Sequence, residues 1–310
     1  MTSARLLVVA GVSLTLLVAG CGSSDDGSGQ SAGDRGERIS RLQEREQKLK
    51  KQLKAQRKEA NAAINSILAR LPGQAGLVIG SPGTGGPDLS GGSISTGDAW
   101  STIKVPIAER VLEDAGGPNR ITPEQSDQIT RAITLSDNDA AAALFAGLEA
   151  GHGGLAGASG AVNEMLLHAG DRETAVSTRG RDGFSTYGQT DWSLENQFRY
   201  MAALAGGCIT NGASRSFLLG QMAAIGGSDT FGLGAAGLPA KWKGGWGPDP
   251  DGRYLVRQMG VMEVNGKPVV VAMAAQAEDG SFETGATMLS DIARAAASRL
   301  AGQVSAPDGC

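Results

Sequence analysis

Aromatic residues make up only 4% of this 310-residue chain, which has just two histidines and three cysteines. Neither His152 nor His168 sits at ligand spacing from a cysteine, so no metal site is read and no cofactor is implied. A basic excess is also missing. The formal net charge is −4, which leaves nucleic acid without the cationic face it needs. Residues 6–19 form an apolar run, but one short of the span of a bilayer. What the chain has in quantity is small residues. Its 47 glycines exceed ordinary usage, and helices rich in alanine and glycine are expected to pack closely. With 41% apolar and 19% charged residues, one sizeable globular domain with appendages is expected.

The first residues read as a targeting segment. Arg5 gives a short basic start and the apolar run follows. Leu17-Val18-Ala19-Gly20-Cys21 then places small residues before a cut and a cysteine after it. This resembles the bacterial lipobox. The resemblance implies loss of residues 1–20, diacylglycerol on Cys21, and an exported protein anchored to the cell membrane and facing outward. A plain secretory signal with an unmodified cysteine is the alternative. With Cys21 acylated, Cys208 and Cys310 remain. Export permits a disulfide between them, and two unpaired thiols are the other reading.

Residues 21–36 are mostly glycine, serine and aspartate and read as a flexible tether. Residues 37–71 contain no glycine or proline and form a long helix. Leu42, Leu49, Leu53, Ala60, Ala63 and Ile67 nearly follow a three-four repeat, interrupted by Glu46 and Gln56. Such a helix either self-associates as a coiled coil or packs its stripe on its own domain. The cluster Lys48, Lys50, Lys51, Lys54, Arg57 and Lys58 reads as a solvated charged face, with contact to anionic lipid or wall polymer as the alternative. The main domain is placed at 73–303, with a tail over 304–310. Strands are expected at 75–80 and 89–95. Helices are expected over 104–114, from Thr122, over 138–150 and over 193–204. A hairpin over 254–264 and 267–275 turns at Asn265-Gly266, and a helix over 282–300 closes the chain. Strands near both ends with helices between predict an α/β fold of the α+β sandwich type. Its antiparallel sheet is built from both ends of the domain and covered by helices.

Ser101-Thr102-Ile103-Lys104 sets a hydroxyl and an amine on one helix face, and an adjacent base activates a nucleophile. Ser136-Asp137-Asn138 adds a second hydroxyl and an amide. Lys243-Gly244-Gly245 precedes the hairpin. Taken in order, with Val105-Pro106 after the first motif and residues 132–141 around the second, these resemble the penicillin-recognising serine hydrolases, most closely the class A β-lactamase-like branch. The resemblance covers residues 73–300 and implies a β-lactamase/transpeptidase-like fold. It makes Ser101 the nucleophile that forms an acyl-enzyme with a β-lactam or a peptidoglycan-derived amide or ester. Lys104 is the base, its pKa lowered by burial beside Lys243. Ser136 passes a proton to the leaving nitrogen, and Asn138 holds Lys104 and the substrate amide. Lys243 supplies charge for a substrate carboxylate, Gly245 leaves room along the strand, and the N–H groups of Ser101 and Trp246 form the oxyanion hole.

Two departures matter. Gly244 stands where the third motif carries a hydroxyl, which weakens carboxylate recognition. The Glu-x-x-Leu-Asn loop that activates the deacylating water is missing. Glu173, Asp182, Asp191 and Glu195 are the carboxylates in that region, and each reads as a surface or helix-start charge. The short interval between Ser101 and Ser136 implies a reduced helical subdomain. Weak deacylation is therefore expected. A D,D-peptidase or esterase of cell-wall material, and a non-catalytic envelope-binding protein, are the alternatives. Residues 232–237 match G-x-G-x-x-G without the strand and helix a dinucleotide site needs, and read as a flexible approach to the Lys243 strand. His168 reads as a capping or surface residue. Of Trp242 and Trp246, which flank Lys243, one reads as packing only.

Overall fold

The computed structural model describes residues 32–307, 309 and 310. The expected leader, Cys21 and the tether up to residue 31 lie outside the described residues. The chain divides into two compact units, one ending at Glu59 and one from Ala60 to Cys310. Helix α1 (Ala32–Leu68) begins inside the expected tether. It ends three residues before the expected limit, because Leu71 precedes Pro72 and that position disfavours helical geometry. The second unit takes in the last turns of α1, ahead of the expected boundary at 73. Ile64 and Leu68 are buried. Asn61 and Asn65 accept backbone N–H bonds from Ser90 and Gly92 at 3.0 and 2.8 Å.

Five strands form one antiparallel sheet: β1 (Gly73–Gly80), β2 (Leu89–Gly92), β3 (Ala240–Pro248), β4 (Tyr254–Val264) and β5 (Lys267–Ala277). Their order is β2-β1-β5-β4-β3. The two ends of the domain meet where β1 pairs with β5, from Gly73↔Ala277 to Gly80↔Val270. Asn265 (φ 52°) and Gly266 (φ 74°) make the left-handed turn between β4 and β5. β2 stops short of the expected residue 95. Gly92 has φ 106°, and Ser93 and Ile94 both donate to the Ala75 carbonyl instead of continuing the ladder. The interior of β5 is buried without alternation, so both faces of the sheet are covered. Helices α6 (Leu194–Gly206) and α8 (Phe282–Ala295) pack on β4 and β5.

The remaining helices are α2 (Lys104–Ala115), α3 (Pro123–Thr134), α4 (Asn138–His152), α5 (Leu155–His168) and α7 (Gly212–Ala223). Thr122 and Gln125 close a reciprocal capping box on α3. α7 was not expected, since glycines and polar residues break its stripe. Asn211 starts it by accepting the N–H groups of Ala213 and Ser214. Cys208 and Cys310 form a disulfide, which settles the two sequence readings. The tail is further held where Ser305 N donates to Asp88 at 3.1 Å.

Candidate active site

Ser101 lies in a 3-10 turn (Trp100–Ile103) that runs directly into α2, whose first residue is Lys104. Trp100, just before it, holds φ 48°. A non-glycine residue there costs on the order of 1–3 kcal/mol and needs support from its surroundings. The support is visible on two sides. A Cβ at Gly247 would fall 2.5 Å from the Trp100 ring, and one at Gly245 would fall 2.8 Å from Ser101 N. The two glycines thus let β3 lie flat against the turn. Behind the turn, buried Thr102 accepts from Gln197 Nε2 at 2.8 Å. Gln197 Oε1 in turn accepts from Arg257 at 3.0 Å. Arg257 also donates to the carbonyls of Gly97, Asp98 and Trp192 at 2.7, 2.9 and 2.8 Å. Burial pulls its pKa down to about 10, against Asp191 and Asp98, so it remains a cation at neutral pH. β4 and α6 together fix the backbone that carries Ser101.

Ser136 sits between α3 and α4, also at positive φ (54°). Asp137 follows as the N-cap of α4, accepting from Ala140 N at 2.9 Å and from Arg131 at 2.8 Å. Two lysines grip this corner. Lys104 Nζ donates to Ser136 O at 2.6 Å, Asn138 Oδ1 at 2.7 Å and Asp137 O at 3.3 Å. Lys243 Nζ donates to Ser136 Oγ and to Gly244 O, both at 2.9 Å. Three acceptors use all three protons of a charged Lys104. Among the described residues, no hydrogen bond joins Ser101 Oγ to Lys104.

Both ammonium groups are buried. Loss of solvent lowers Lys104 to about 8, opposed by Asp137 and Asp229. Loss of solvent and then the Lys104 charge lower Lys243 to about 7, opposed by Asp229. Like charges this close titrate as a pair. The like-charge effect expected at Lys104 falls instead on Lys243. Asp229 is a counter-charge that the motifs do not reveal. It belongs to no motif, and only the fold brings residues 227–229 beside the lysines.

The other candidates are placed as follows. Gly244 and Gly245 are buried on β3, an edge strand. A Cβ on Gly244 would touch Trp246, Phe231 and Gln258 at 3.4–3.7 Å. The Trp246 ring packs against Phe282 and Phe231 at 5.1 and 5.8 Å. Trp242 is buried, with Nε1 donating to Asp229 O. Glu173 is bonded to Asn196, Glu195 to Arg199 and Asp191 to Thr96, and Asp182 is exposed. His168 is exposed at the end of α5. Within the expected flexible approach, residues 232–235 form a 3-10 turn. Gly232 and Leu233 are buried in it, with their N–H groups donated to Ser290 and Gln258 at 2.9 and 2.8 Å. Buried partners for backbone groups hold the turn in place. Among the described residues, no cluster of three or more His, Cys, Asp or Glu side chains could hold a metal.

No protein-family model matches this sequence, and no curated protein does. Solved structures do match the fold. A β-lactamase from Streptosporangium roseum superposes with a TM-score of 0.60 at 17% identity, covering 79% of this chain and 99% of that one. The putative class A β-lactamase PenP from Rhodopseudomonas palustris gives 0.59 at 19% identity, covering 77% and 98%. The TLA-3 extended-spectrum β-lactamase gives 0.59 at 15% identity, covering 77% and 97%. The chain therefore has the class A β-lactamase fold, the fold that its three motifs imply.

Proposed function

We propose that this protein is a serine hydrolase that forms an acyl-enzyme on Ser101 with β-lactams or a peptidoglycan-related amide or ester. The observation that carries the reading is the pair of buried lysines on either side of Ser136, one on its carbonyl and one on its hydroxyl. A neutral Lys104 has two N–H donors and a lone pair. It keeps the two short bonds, gives up the 3.3 Å bond to Asp137, and takes the Ser101 proton. Ser101 Oγ then bonds the carbonyl carbon. As the C–N bond breaks, the nitrogen takes the Ser136 proton, and Ser136 is reprotonated from the lysines. Charge on the carbonyl oxygen is met by the N–H groups of Ser101 and Trp246, and a substrate carboxylate is met by Lys243.

Deacylation is slow in this reading, because the four carboxylates of residues 173–195 are engaged elsewhere or exposed. Export with lipid on Cys21 completes the proposal, and the Cys208–Cys310 disulfide supports an oxidising compartment. The test is incubation with a fluorescent penicillin followed by intact-mass analysis. A long-lived adduct is expected on the native chain and none on Ser101→Ala. Absence of an adduct with several β-lactams would sink penicillin recognition.

A further inference from the structure

Between residues 37 and 59, α1 carries nine basic and four acidic side chains, a net +5 in a chain of net −4. Their arrangement is ordered. At 100° per residue, Ile39, Leu42 and Leu49 share a stripe ~80° wide. The structure leaves all three exposed, at 50%, 60% and 55%. Arg38 and Arg45 border the stripe on one side, and Lys50 and Lys54 on the other. Arg41, Lys48, Lys51 and Lys58 lie across the helix with Glu37, Glu44 and Glu59. Arg57 and Glu46 fall within the stripe, and Glu46 pairs there with Lys50 at 2.6 Å.

We infer that this segment of α1 is an interfacial helix that docks on an anionic lipid surface. An apolar stripe bordered by cations lets leucine enter the acyl boundary while lysine reaches the headgroups. Two alternatives fit less well. A second copy in parallel register would face Arg45 against the partner's Lys50 and put Glu46 and Gln56 in the seam. A soluble polyanion would use the cations and leave the stripe in water. The inference stands apart from the chemistry at Ser101.

The test uses the full chain with Cys21→Ser, which removes the acylation point. Hydrogen exchange is read over residues 38–59, so that the apolar leader does not contribute. Vesicles of phosphatidylcholine alone are compared with vesicles that also contain phosphatidylglycerol. Slowed exchange is expected only with the anionic vesicles, and high salt should reverse it. Each basic residue near such a surface is worth about fivefold in partitioning, so Arg45→Gln, Lys50→Gln and Lys54→Gln together should lower it by on the order of a hundredfold. A second variant, Leu42→Gln with Leu49→Gln, keeps the charge and should also lose binding. Equal protection on both vesicle types would overturn the inference. So would undiminished binding of the leucine variant, or protection that grows with protein concentration without lipid.

Discussion

Lys243 lies fully buried with Lys104 as its neighbour, and that arrangement governs the pH dependence. Acylation needs a neutral Lys104 and a charged Lys243, so its rate should rise toward the pH 7–8 range to which the pair is lowered and fall above it as Lys243 loses its charge. Lys243→Met leaves in place the burial that lowers Lys104, so the rising limb should stay near pH 8. Stopped-flow acylation across pH reads this, and a limb moved to higher pH would show that Lys243 also lowers Lys104. Glu109 gives a separate test. Burial pushes its carboxyl from 4.5 up to about 8, with only the Tyr200 hydroxyl, at 2.6 Å, to favour the charged form. The native state therefore holds a proton that the unfolded chain has released between pH 4.5 and 8, and stability falls across that window. Glu109→Gln should flatten the fall by on the order of a few kcal/mol in urea titrations at pH 5 and 8. The sequence displays Lys104 and Lys243 through their motifs. It cannot display Asp229 or Glu109, because their effects depend on burial and on neighbours far along the chain.

Between elements, the decisive contact is β3 lying on the Ser101 turn. Adjacent glycines play different parts in it. A Cβ on Gly245 would strike Ser101 N, Ala99 O and Thr102 N at 2.8–2.9 Å, all backbone atoms that cannot swing away. Gly245→Ala should cost ~1–3 kcal/mol and slow acylation. Gly244→Ala meets only side chains at 3.4 Å or more and should leave both near native values. Thermal unfolding and adduct rates on the two variants check the contrast, and equal behaviour would refute the packing account. Most elements were legible, because caps and turns are local: the Thr122 box, Ser193, and Asn265-Gly266. α7 was not, since its stability comes from neighbours and not from its own periodicity. The Arg257–Gln197–Thr102 chain was also out of view, since it joins residues 60 and 95 positions apart.

Across the whole molecule, the Cys208–Cys310 disulfide closes a separation of 102 residues and ties the tail to the end of α6. Cys310→Ser should lower stability by about 2–4 kcal/mol. The same loss is expected when the native chain is reduced, and a denaturation midpoint indifferent to reductant would contradict this. The sequence by itself determined the order of the three motifs, the candidate serine and lysines within them, and a sheet assembled from both ends. Each of these is written in residue type and spacing, which survive without knowledge of the fold. Tertiary structure alone decided three things: that the second unit starts inside α1, that the cysteines pair, and that Glu173, Asp191 and Glu195 bond Asn196, Thr96 and Arg199. Those outcomes depend on which distant side chains come within a few ångströms of each other, and spacing along a chain does not fix that.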